Sequence, residues 1–416
     1  MAKPLLSDKQ KQELNLAILD YLTSNGLSAA ASALSTEAEI TDFNGDGLQR
    51  YSGLLEKKWT SVVRLQKKII DLESKLSAID PRKPLSNNDF LPSVPASFVL
   101  SGQHRSTVNH VTFHPLFSTV AIASEDATVT IWDAETGEYE RTLRGHTKGV
   151  HHVTFIGEER NGNLLASSSS DLTIKIWDVL NEYHCIRTLN GHDEIVSSVE
   201  FIGIGDFLVS ASRDKTIKIW EVATGYCVRT INAHDEWIRK AIPSPDGLSL
   251  ASCSNDHTIQ ITETATGNIL SAITGHTHVV ETIAFAPIAA GKTILAALNQ
   301  SGEPAVGQFI ASGSRDNSIR IWDAVTGVNL FILTGHENWV RNVQFHPNGK
   351  FLFSVSDDKT LRVWDLSQPQ SDGGVKCICV LEGLHNQFIT SLAVHFRRGI
   401  VAAGSEDATV SVFKCV

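Results

Sequence analysis

The sequence has no excess of basic charge, no long apolar run and no zinc-type cysteine pair. Its formal net charge of -10 over 416 residues argues against nucleic acid or an anionic membrane surface as the main partner. No stretch approaches the roughly 18 apolar residues that a membrane span requires, so no membrane insertion is predicted. The first residues, MAKPLLSDKQ, lack the apolar core of an export signal.

The cysteines are scattered along the chain, and we expect them to be buried, reduced thiols. Together with the missing export signal, they predict a cytoplasmic protein. No glycine-rich phosphate loop and no metal-ligand cluster occurs, so neither a cofactor nor a metal is predicted. The cysteines are Cys185, Cys227, Cys253, Cys377, Cys379 and Cys415.

The first forty residues have the pattern of two short helices. Ser7 and Gln10 form a capping box, and apolar residues then recur at helical spacing until Gly26 ends the helix. A second amphipathic segment, LSAAASALSTEA, follows. Two helices this short bury little surface alone, so residues 1–40 are predicted to dimerise. The apolar residues of the first helix are Leu14, Ile18, Tyr21 and Leu22.

Residues 51–80 follow a heptad pattern. The residues at positions a and d favour a parallel, two-stranded coiled coil. An alternative is a single amphipathic helix that packs back on the rest of the chain. Pro81 and Pro84 end the helix and begin a linker over residues 81–95. The a residues are Leu55, Val62, Ile69 and Leu76, and the d residues include Leu65, Leu72 and Ile79.

From residue 96 onward one motif recurs: Gly-His, a strand, Ser-x-Asp, and an alternating segment that ends at Trp-Asp. Such recurrence is typical of WD repeats, which form four-stranded blades around a channel. The last copy is one strand short, and an orphan strand, ASFVLSGQH, precedes the first, so we expect the orphan to complete the seventh blade. The histidines are His104, His146, His192, His234, His276, His336 and His385, and the aspartates are Asp126, Asp171, Asp214, Asp256, Asp316, Asp358 and Asp407.

Each repeat contains the residue types of a hydrolase triad: histidine, aspartate and a serine two positions before it. Seven equivalent copies indicate a scaffold instead of a nucleophile, and the protein is predicted not to be an enzyme. We expect the aspartate to accept the histidine N–H and turn amides, and the serine to bridge histidine and indole. In the second repeat these structural residues are His146, Ser169, Asp171 and Trp177.

Function should lie in positions that differ between blades, because the repeated ones maintain the fold. At two such positions, just before the turn aspartate and five residues after the histidine, arginines occur only in blades three to six. Both loops open on the same end of a propeller, so they predict one protein-binding face for an acidic partner. The alternative is solvated loops whose tryptophans pack on neighbouring blades. The residues are Arg213, Arg239, Arg315, Arg341, Trp237, Trp339, Lys215 and Lys359.

Departures from the repeat occur in two blades and in one insert. Thr262 and Phe413 replace the tryptophan, and we expect blade four to be the least stable. The eighteen extra residues within PIAAGKTILAALNQSGEPAVGQF lengthen a surface loop of blade five, which adds contacts or is only tolerated.

The order of parts resembles the lissencephaly/nuclear distribution protein F family of cytoplasmic dynein regulators over nearly the full length. The segment LNLAILDYLTSNGLSAAASAL resembles the LisH dimerisation motif, and SASRDKTIKIWEVATGYCVRT, SGSRDNSIRIWDAVTG and ENWVRNVQFHPNGKF resemble this family in particular. The resemblance implies a homodimer that binds the dynein heavy chain motor domain and NudE-type coiled-coil proteins. It also implies a location at microtubules and spindle poles and a role in nuclear migration.

By motif matching, the family's contacts carry over to Arg213, Arg239, Arg315, Trp339 and Lys359. Thr262 is expected to fall beside this surface. Other readings are a scaffold subunit of another complex, such as a ubiquitin-ligase or corepressor receptor, or a regulatory subunit of an acetylhydrolase.

Overall fold

The computed structural model describes residues 8–38, 91–92, 95–160, 162–370, 374–395 and 397–415. The chain divides into two units, residues 1–80 and 81–416. Ser7, the predicted coiled coil with Val62, Leu65, Ile69, Leu72 and Leu76, and most of the predicted linker lie outside the described residues.

The first unit contains two helices, α1 (Asp8–Ser24) and α2 (Ser28–Glu37). Gly26 has a φ of +74° and ends α1, because the amide of Leu27 then reaches the carbonyl of Leu22 at 2.9 Å. Leu14 is 42% exposed and Tyr21 37% exposed. Apolar side chains predicted to dimerise therefore lie at the surface of the single chain. None of the described helices is both long and apolar enough to cross a membrane.

In the described part of the second unit, strands form seven antiparallel four-stranded sheets, the blades of a propeller. Blade 1 contains β2 (Val108–Phe113), β3 (Thr119–Ser124), β4 (Thr128–Asp133) and β5 (Tyr139–Arg144), and blade 2 contains β6 (Val150–Phe155), β7 (Leu164–Ser169), β8 (Thr173–Asp178) and β9 (His184–Asn190). Blade 3 contains β10 (Val196–Ile202), β11 (Phe207–Ser212), β12 (Ile217–Glu221) and β13 (Cys227–Ile231), and blade 4 contains β14 (Ile238–Pro243), β15 (Ser249–Ser254), β16 (Ile259–Glu263) and β17 (Ile269–Ile273). Blade 5 contains β18 (Val280–Phe285), β19 (Phe309–Ser314), β20 (Ile319–Asp323) and β21 (Asn329–Leu333), and blade 6 contains β22 (Val340–Phe345), β23 (Phe351–Ser356), β24 (Leu361–Pro369) and β25 (Val375–Leu381). Blade 7 contains β26 (Ile389–Val394), β27 (Ile400–Ser405) and β28 (Val410–Lys414) together with β1 (Phe98–Leu100).

The ring closes where the two ends of the propeller sequence meet. Strand β1 pairs with β28, with Phe98 opposite Val412 and Leu100 opposite Val410, and this confirms the predicted role of the orphan strand. The innermost strand of blade 7, β26, packs beside the innermost strand of blade 1, β2. Because β1 covers β28, that strand is not left as an open sheet edge.

The core lies between blades as well as within them. In some strands every second side chain is buried, and in others successive side chains are buried. Buried apolar side chains of neighbouring sheets pack together in shared clusters. One cluster joins Val108 and Val111 of blade 1 to Ala393 and Val410 of blade 7. Each blade therefore needs its neighbour to bury its apolar face.

The insert of blade 5 is not simply a longer loop. It contains a helix, α3 (Ile288–Ala297), whose buried Ala290, Gly291, Ile294 and Leu295 recur at helical spacing. Its cluster includes Trp364 of blade 6, and a Cβ at Gly349 would lie 2.1 Å from the Ala290 amide nitrogen. Part of the insert therefore belongs to the core between blades 5 and 6. It connects β18 to β19, at the blade end opposite the turn that follows β19.

The prediction that all cysteines are buried is wrong. Cys253 is fully buried, Cys227 is exposed, and the other cysteines are half-buried. Cys227 lies on β13, the outer strand of blade 3, where alternate side chains face solvent. All of these cysteines are free thiols.

Candidate partner-binding site

The repeated histidine, aspartate and tryptophan form a buried bond network. In blade 2, His146 Nδ1 lies 2.9 Å from Asp171 Oδ2, and His146 Nε2 lies 2.8 Å from Ser167 Oγ. The Trp177 indole N–H donates to the same Ser167 oxygen at 2.9 Å. The bridging serine is therefore Ser167, and the prediction that Ser169 bridges histidine and indole is wrong.

Ser169 caps the turn instead. Its hydroxyl accepts the Asp171 amide at 3.1 Å and donates to the Lys148 carbonyl at 2.9 Å. Burial alone raises the pKa of the Asp171 carboxyl, but hydrogen bonds from His146, Thr173 and the Thr147 amide outweigh it and hold that pKa well below its usual range. Each polar group of the network is used in holding the loops, so none is placed as a free nucleophile.

The network changes in blades that lack one of its members. In blade 1, Thr130 takes the bridging role and lies 2.7 Å from His104 Nε2. In blade 7, where Phe413 replaces the tryptophan, His385 Nε2 instead lies 3.1 Å from the Ala403 carbonyl oxygen. In blade 4, Thr262 is fully buried and its hydroxyl has no hydrogen-bond partner among the described residues.

Thr262 does not fall beside the candidate surface. It pairs with Leu250, whereas the turn that carries Asn255 begins after Ser254, at the other end of β15. At about 3.3 Å per residue, four residues of strand place Thr262 roughly 13 Å below that turn. The expectation that Thr262 falls beside this surface is therefore wrong.

Two loops of each blade are joined by one backbone hydrogen bond. The residue before the turn aspartate donates its amide to the carbonyl three residues after the histidine, for example Arg213 to Ile195 at 2.9 Å and Asn255 to Trp237 at 2.9 Å. After the aspartate, Lys215 and Lys359 have positive φ values of 69° and 66°. This left-handed residue completes a tight turn, so both loops are fixed at the same end of the blade.

A β-bulge sets the direction of the second variable position. In blade 4, Ile238 pairs with Ser254 and Lys240 pairs with Cys253, so Arg239 is the extra residue. Such a bulge turns its side chain away from the regular alternation of the strand. The same shift occurs in every blade, and the bulged residues all line one cavity of about 230 Å³. They are Asn109, His151, Ser197, Arg239, Glu281, Arg341 and Thr390.

Around this cavity, arginines and tryptophans alternate across blade boundaries. Trp237 has the Arg213 guanidinium 4.8 Å and the Arg239 guanidinium 5.9 Å from its ring centroid. Trp339 has Arg315 at 4.1 Å and Arg341 at 5.2 Å. We call these residues the Arg–Trp arc: Arg213, Trp237, Arg239, Arg315, Trp339 and Arg341.

Two carboxylates compensate part of the charge of the arc. Glu281, with a side chain only 8% exposed, accepts Arg315 Nε and lies 4.0 Å from Arg239 Nε. Asp357 accepts both Nε and Nη2 of Arg341, at 2.7 and 2.8 Å. Burial lowers the pKa of Arg239 and nearby arginines add to that effect, whereas the Asp357 carboxylate outweighs burial and raises the pKa of Arg341.

The predicted residues are therefore brought together on one face. Trp237 is 40% exposed, whereas the Arg239 side chain is 19% exposed. The alternative of tryptophans packed on neighbouring blades holds in part, because each ring lies against an arginine of the preceding blade. Lys359, in the turn of blade 6, donates to the Asn386 carbonyl at 2.7 Å. Lys215, in the turn of blade 3, has its ammonium 3.6 Å from the Glu236 carboxylate.

Sequence reasoning missed the counter-charges. Glu281 and Asp357 occupy the same two variable positions as the arginines, so the signal was present in the same series. A carboxylate flanked by arginines at equivalent positions of neighbouring blades indicates an ion pair instead of a separate acidic patch.

Comparison with known proteins agrees with this architecture. The PAC1 LisH domain model matches residues 8–43, and the WD domain, G-beta repeat model matches residues 97–133, 137–178, 183–221, 225–262, 304–323, 327–365 and 375–414. The chain is 48% identical over 415 residues to nuclear distribution protein PAC1 of Arthroderma otae, with 94% of this chain and 88% of that protein covered. The chain belongs to the nuclear distribution protein PAC1/nudF family.

Other family members show a similar degree of likeness. Nuclear distribution protein PAC1 of Gibberella zeae is 46% identical over 411 residues, with 93% of this chain and 88% of that protein covered. Nuclear distribution protein nudF 1 of Talaromyces marneffei is 45% identical over 408 residues, with 93% and 87% covered. The WD matches leave out residues 263–303, which include α3, so this helix is an addition to the repeat.

Proposed function

We propose that this chain is a non-catalytic dimeric adaptor that binds the motor domain of cytoplasmic dynein and regulates its attachment to microtubules. Its membership in a family of nuclear distribution proteins supports a role in nuclear migration and spindle positioning. The proposed site is the Arg–Trp arc with Lys359, and the proposed location is the cytoplasm, at microtubules and spindle poles.

The observation that carries this proposal is the alternation of arginine and tryptophan across four blades. Arginine and tryptophan are enriched at the centres of protein interfaces, where a planar guanidinium can pair with a carboxylate and an indole buries a large area. Because the arc is fixed by bulges and cation–π contacts, little side-chain entropy is lost when a partner binds. An acidic surface is therefore the preferred partner.

The absence of catalysis is also part of the proposal. The residue types that resemble a hydrolase triad are buried and bonded to one another in the blades, as His146 and Asp171 show. No cofactor is required for this function. NudE-type coiled-coil proteins are proposed as further partners.

Dimerisation would strengthen binding to a two-headed motor. Two tethered propellers gain effective concentration without any new contact. The exposed apolar side chains of Leu14 and Tyr21 on α1 support this part of the proposal, because a second copy could cover them.

The binding test uses the full chain and a purified dynein motor domain at low salt. Arg239→Ala with Trp339→Ala should weaken binding at least about tenfold, since two central side chains of a contact surface are lost. The control replaces a cation and an aromatic away from the arc, Arg229→Ala with Tyr226→Ala, on or beside the outer strand β13. Unchanged affinity in the first variant, with its fold retained, would refute the assigned face.

The dimer is tested separately by sedimentation of the full chain and of the chain with Leu14→Asp and Ile18→Asp. A dimer is expected for the former and a monomer for the latter, because charges on both side chains oppose burial. A full chain that sediments as a monomer at micromolar concentration would contradict the tether.

A further inference from the structure

The central channel contains a cation that the proposed docking surface does not use. Lys240 follows the bulged Arg239 on β14 and lines two cavities of the channel. We call the one lined by the bulged residues, of about 230 Å³, the upper cavity; the other has a volume of about 440 Å³. Lys240 is half-buried, its ammonium forms no hydrogen bond or ion pair with another described residue, and Glu200 is the carboxylate that acts on it. Burial lowers the pKa of Lys240, and the Glu200 carboxylate opposes this effect.

Two stacked histidines line the same cavity as Lys240. The side chain of His152 is 5% exposed, and its ring nitrogens have no hydrogen-bond partner among the described residues, the nearest carboxylate being Glu200, 3.9 Å from Nε2. Its ring stacks on His110, with 3.7 Å between centroids, and both histidines line the upper cavity. Buried polar groups and charges without partners are costly, so this part of the channel is suited to a ligand that supplies acceptor atoms.

The charge of the upper cavity defines the ligand. Four cations and two carboxylates line it, and Asp357 beside it already compensates Arg341. Glu281 faces Arg239, so Arg213 and Lys240 are the lining cations without an ion pair among the described residues. Arg213 forms no ion pair with a residue in the described part of the chain, and it adds to the repulsion that lowers the pKa of Arg239. The cations are Arg213, Arg239, Lys240 and Arg341, and the carboxylates are Glu281 and Glu406.

We propose that the mouth of the central channel binds a phosphate dianion, with Lys240 at the floor and Arg213 and Arg239 at the rim. A dianion matches the two cations that have no ion pair, and its several oxygens match guanidinium and ammonium donors from different blades. The cavity is large enough for one phosphate group with bridging water. The phosphate group belongs either to a small soluble molecule or to a phosphorylated side chain.

The test measures thermal unfolding of the full chain in orthophosphate and in sodium chloride of equal ionic strength. Orthophosphate should raise the midpoint in a saturable manner beyond chloride, because a ligand that binds the folded state stabilises it. Lys240→Met and, separately, Arg213→Gln should weaken phosphate binding about tenfold or more, the cost of one charge-assisted contact. Lys218→Met, on the third strand of blade 3, is the matched control and should bind as the unchanged chain does.

Lys240→Met should fold without phosphate, because it removes an unpaired cation and keeps most of the side-chain volume. Arg213→Gln provides a second measurement should that variant unfold. Equal effects of orthophosphate and chloride on the unchanged chain would overturn the proposal, as would phosphate binding that survives both substitutions.

Competition identifies the source of the phosphate. Inositol hexakisphosphate and a phosphoserine peptide are each tested for displacement of bound orthophosphate, and the tighter competitor indicates the natural form. No motor domain is present in this assay, so a negative result leaves the docking proposal standing. Loss of motor binding in Arg239→Ala with Trp339→Ala likewise says nothing against phosphate binding.

Discussion

The guanidinium carbon of Arg315 lies 4.1 Å from the ring centroid of Trp339, so a side chain from the turn of blade 5 covers an indole of blade 6. Arg213 and Trp237 repeat this relationship between blades 3 and 4 at 4.8 Å. Such contacts contribute about 0.5–2 kcal/mol each, depending on their exposure. The contact surface is therefore continuous across blade boundaries, although no single repeat contains it.

Glu281 should control the stability of the arc. Replacement by Gln removes the carboxylate that faces Arg239 and Arg315 and leaves two half-buried guanidinium groups to repel each other. We expect a loss of about 1–3 kcal/mol in the free energy of unfolding, reduced from the full cost of breaking a buried pair because both arginines retain some exposure. Urea unfolding checks this value. The control is Glu337→Gln, because Glu337 is an exposed carboxylate in a loop of blade 6. An equal loss of unfolding free energy in the two variants would contradict the role of Glu281.

The identity of the bridging serine is testable with three neighbouring positions. Ser167→Ala leaves Trp177 Nε1 and His146 Nε2 buried without a partner, which should cost about 1–3 kcal/mol of unfolding free energy. Ser169→Ala should cost less, since it affects only the turn. Ser168→Ala is the control and should be nearly neutral, because the Ser168 hydroxyl has no partner within the described residues. A larger loss for Ser169→Ala than for Ser167→Ala would restore the original assignment.

These serines show why the repeats predict the ring but not each bond. Residues 167 and 169 are two apart on one strand, so they face the same side of the sheet, and spacing alone cannot choose between them. The aspartate and the histidine of the network can be assigned because one of each recurs at the same place in the motif of all seven repeats. The orphan strand was assigned correctly because an unpaired edge had only one place to pair.

The candidate face was predictable in its residues but not in its geometry. Arginines confined to four blades indicated the arc, whereas the bulge at Arg239 and the pairing of Glu281 depend on strand register. From the repeat pattern, the insert is predicted only as a longer surface loop of blade 5. Its alanines with Ile294 and Leu295 were a helix signal, and only contact with blade 6 shows that it is buried.

Blade 4 offers a test of paired substitutions. In blades 2, 3, 5 and 6, a Cβ on the glycine before the histidine would lie between 2.9 and 3.2 Å from the tryptophan Cη2, as at Gly275 and Gly191. Blade 4 has Ala233 at this position together with Thr262 in place of the tryptophan. Thr262→Trp alone should therefore destabilise the blade by steric overlap with Ala233.

Ala233→Gly with Thr262→Trp should reverse that loss, because the indole then has space and can donate to Ser252 Oγ, which already contacts His234 at 2.8 Å. The two changes should couple favourably by about 0.5–3 kcal/mol in a double-mutant cycle of urea unfolding. Additive effects would show that the glycine and the tryptophan are independent.

His395 should make the closure of the ring sensitive to acid. Burial lowers its pKa to about 4, and its Nε2 lies 2.9 Å from the Phe117 carbonyl of blade 1. The unfolded chain binds a proton here near pH 6.5, so this stability is present at neutral pH and is lost as pH falls from about 6.5 to 4. One histidine contributes about 1.4 kcal/mol per pH unit within that window.

Urea unfolding at pH 7.5 and pH 5 measures this effect. His395→Gln removes the titrating group and can still donate to the Phe117 carbonyl, so its unfolding free energy should depend less on pH by about 2 kcal/mol over this interval. The buried histidines of the other blades remain as a constant background. An unchanged pH dependence would show that His395 is not a source of acid sensitivity.

Hydrogen–deuterium exchange of the full chain, with and without the dynein motor domain, tests the central claim most directly. The account predicts slower exchange on binding in the loops that carry Arg213, Trp237, Arg315 and Trp339. It predicts no change at the opposite blade ends, where Leu180, Tyr226 and Leu248 are exposed. Protection confined to those opposite ends, with the arc unchanged, would contradict it.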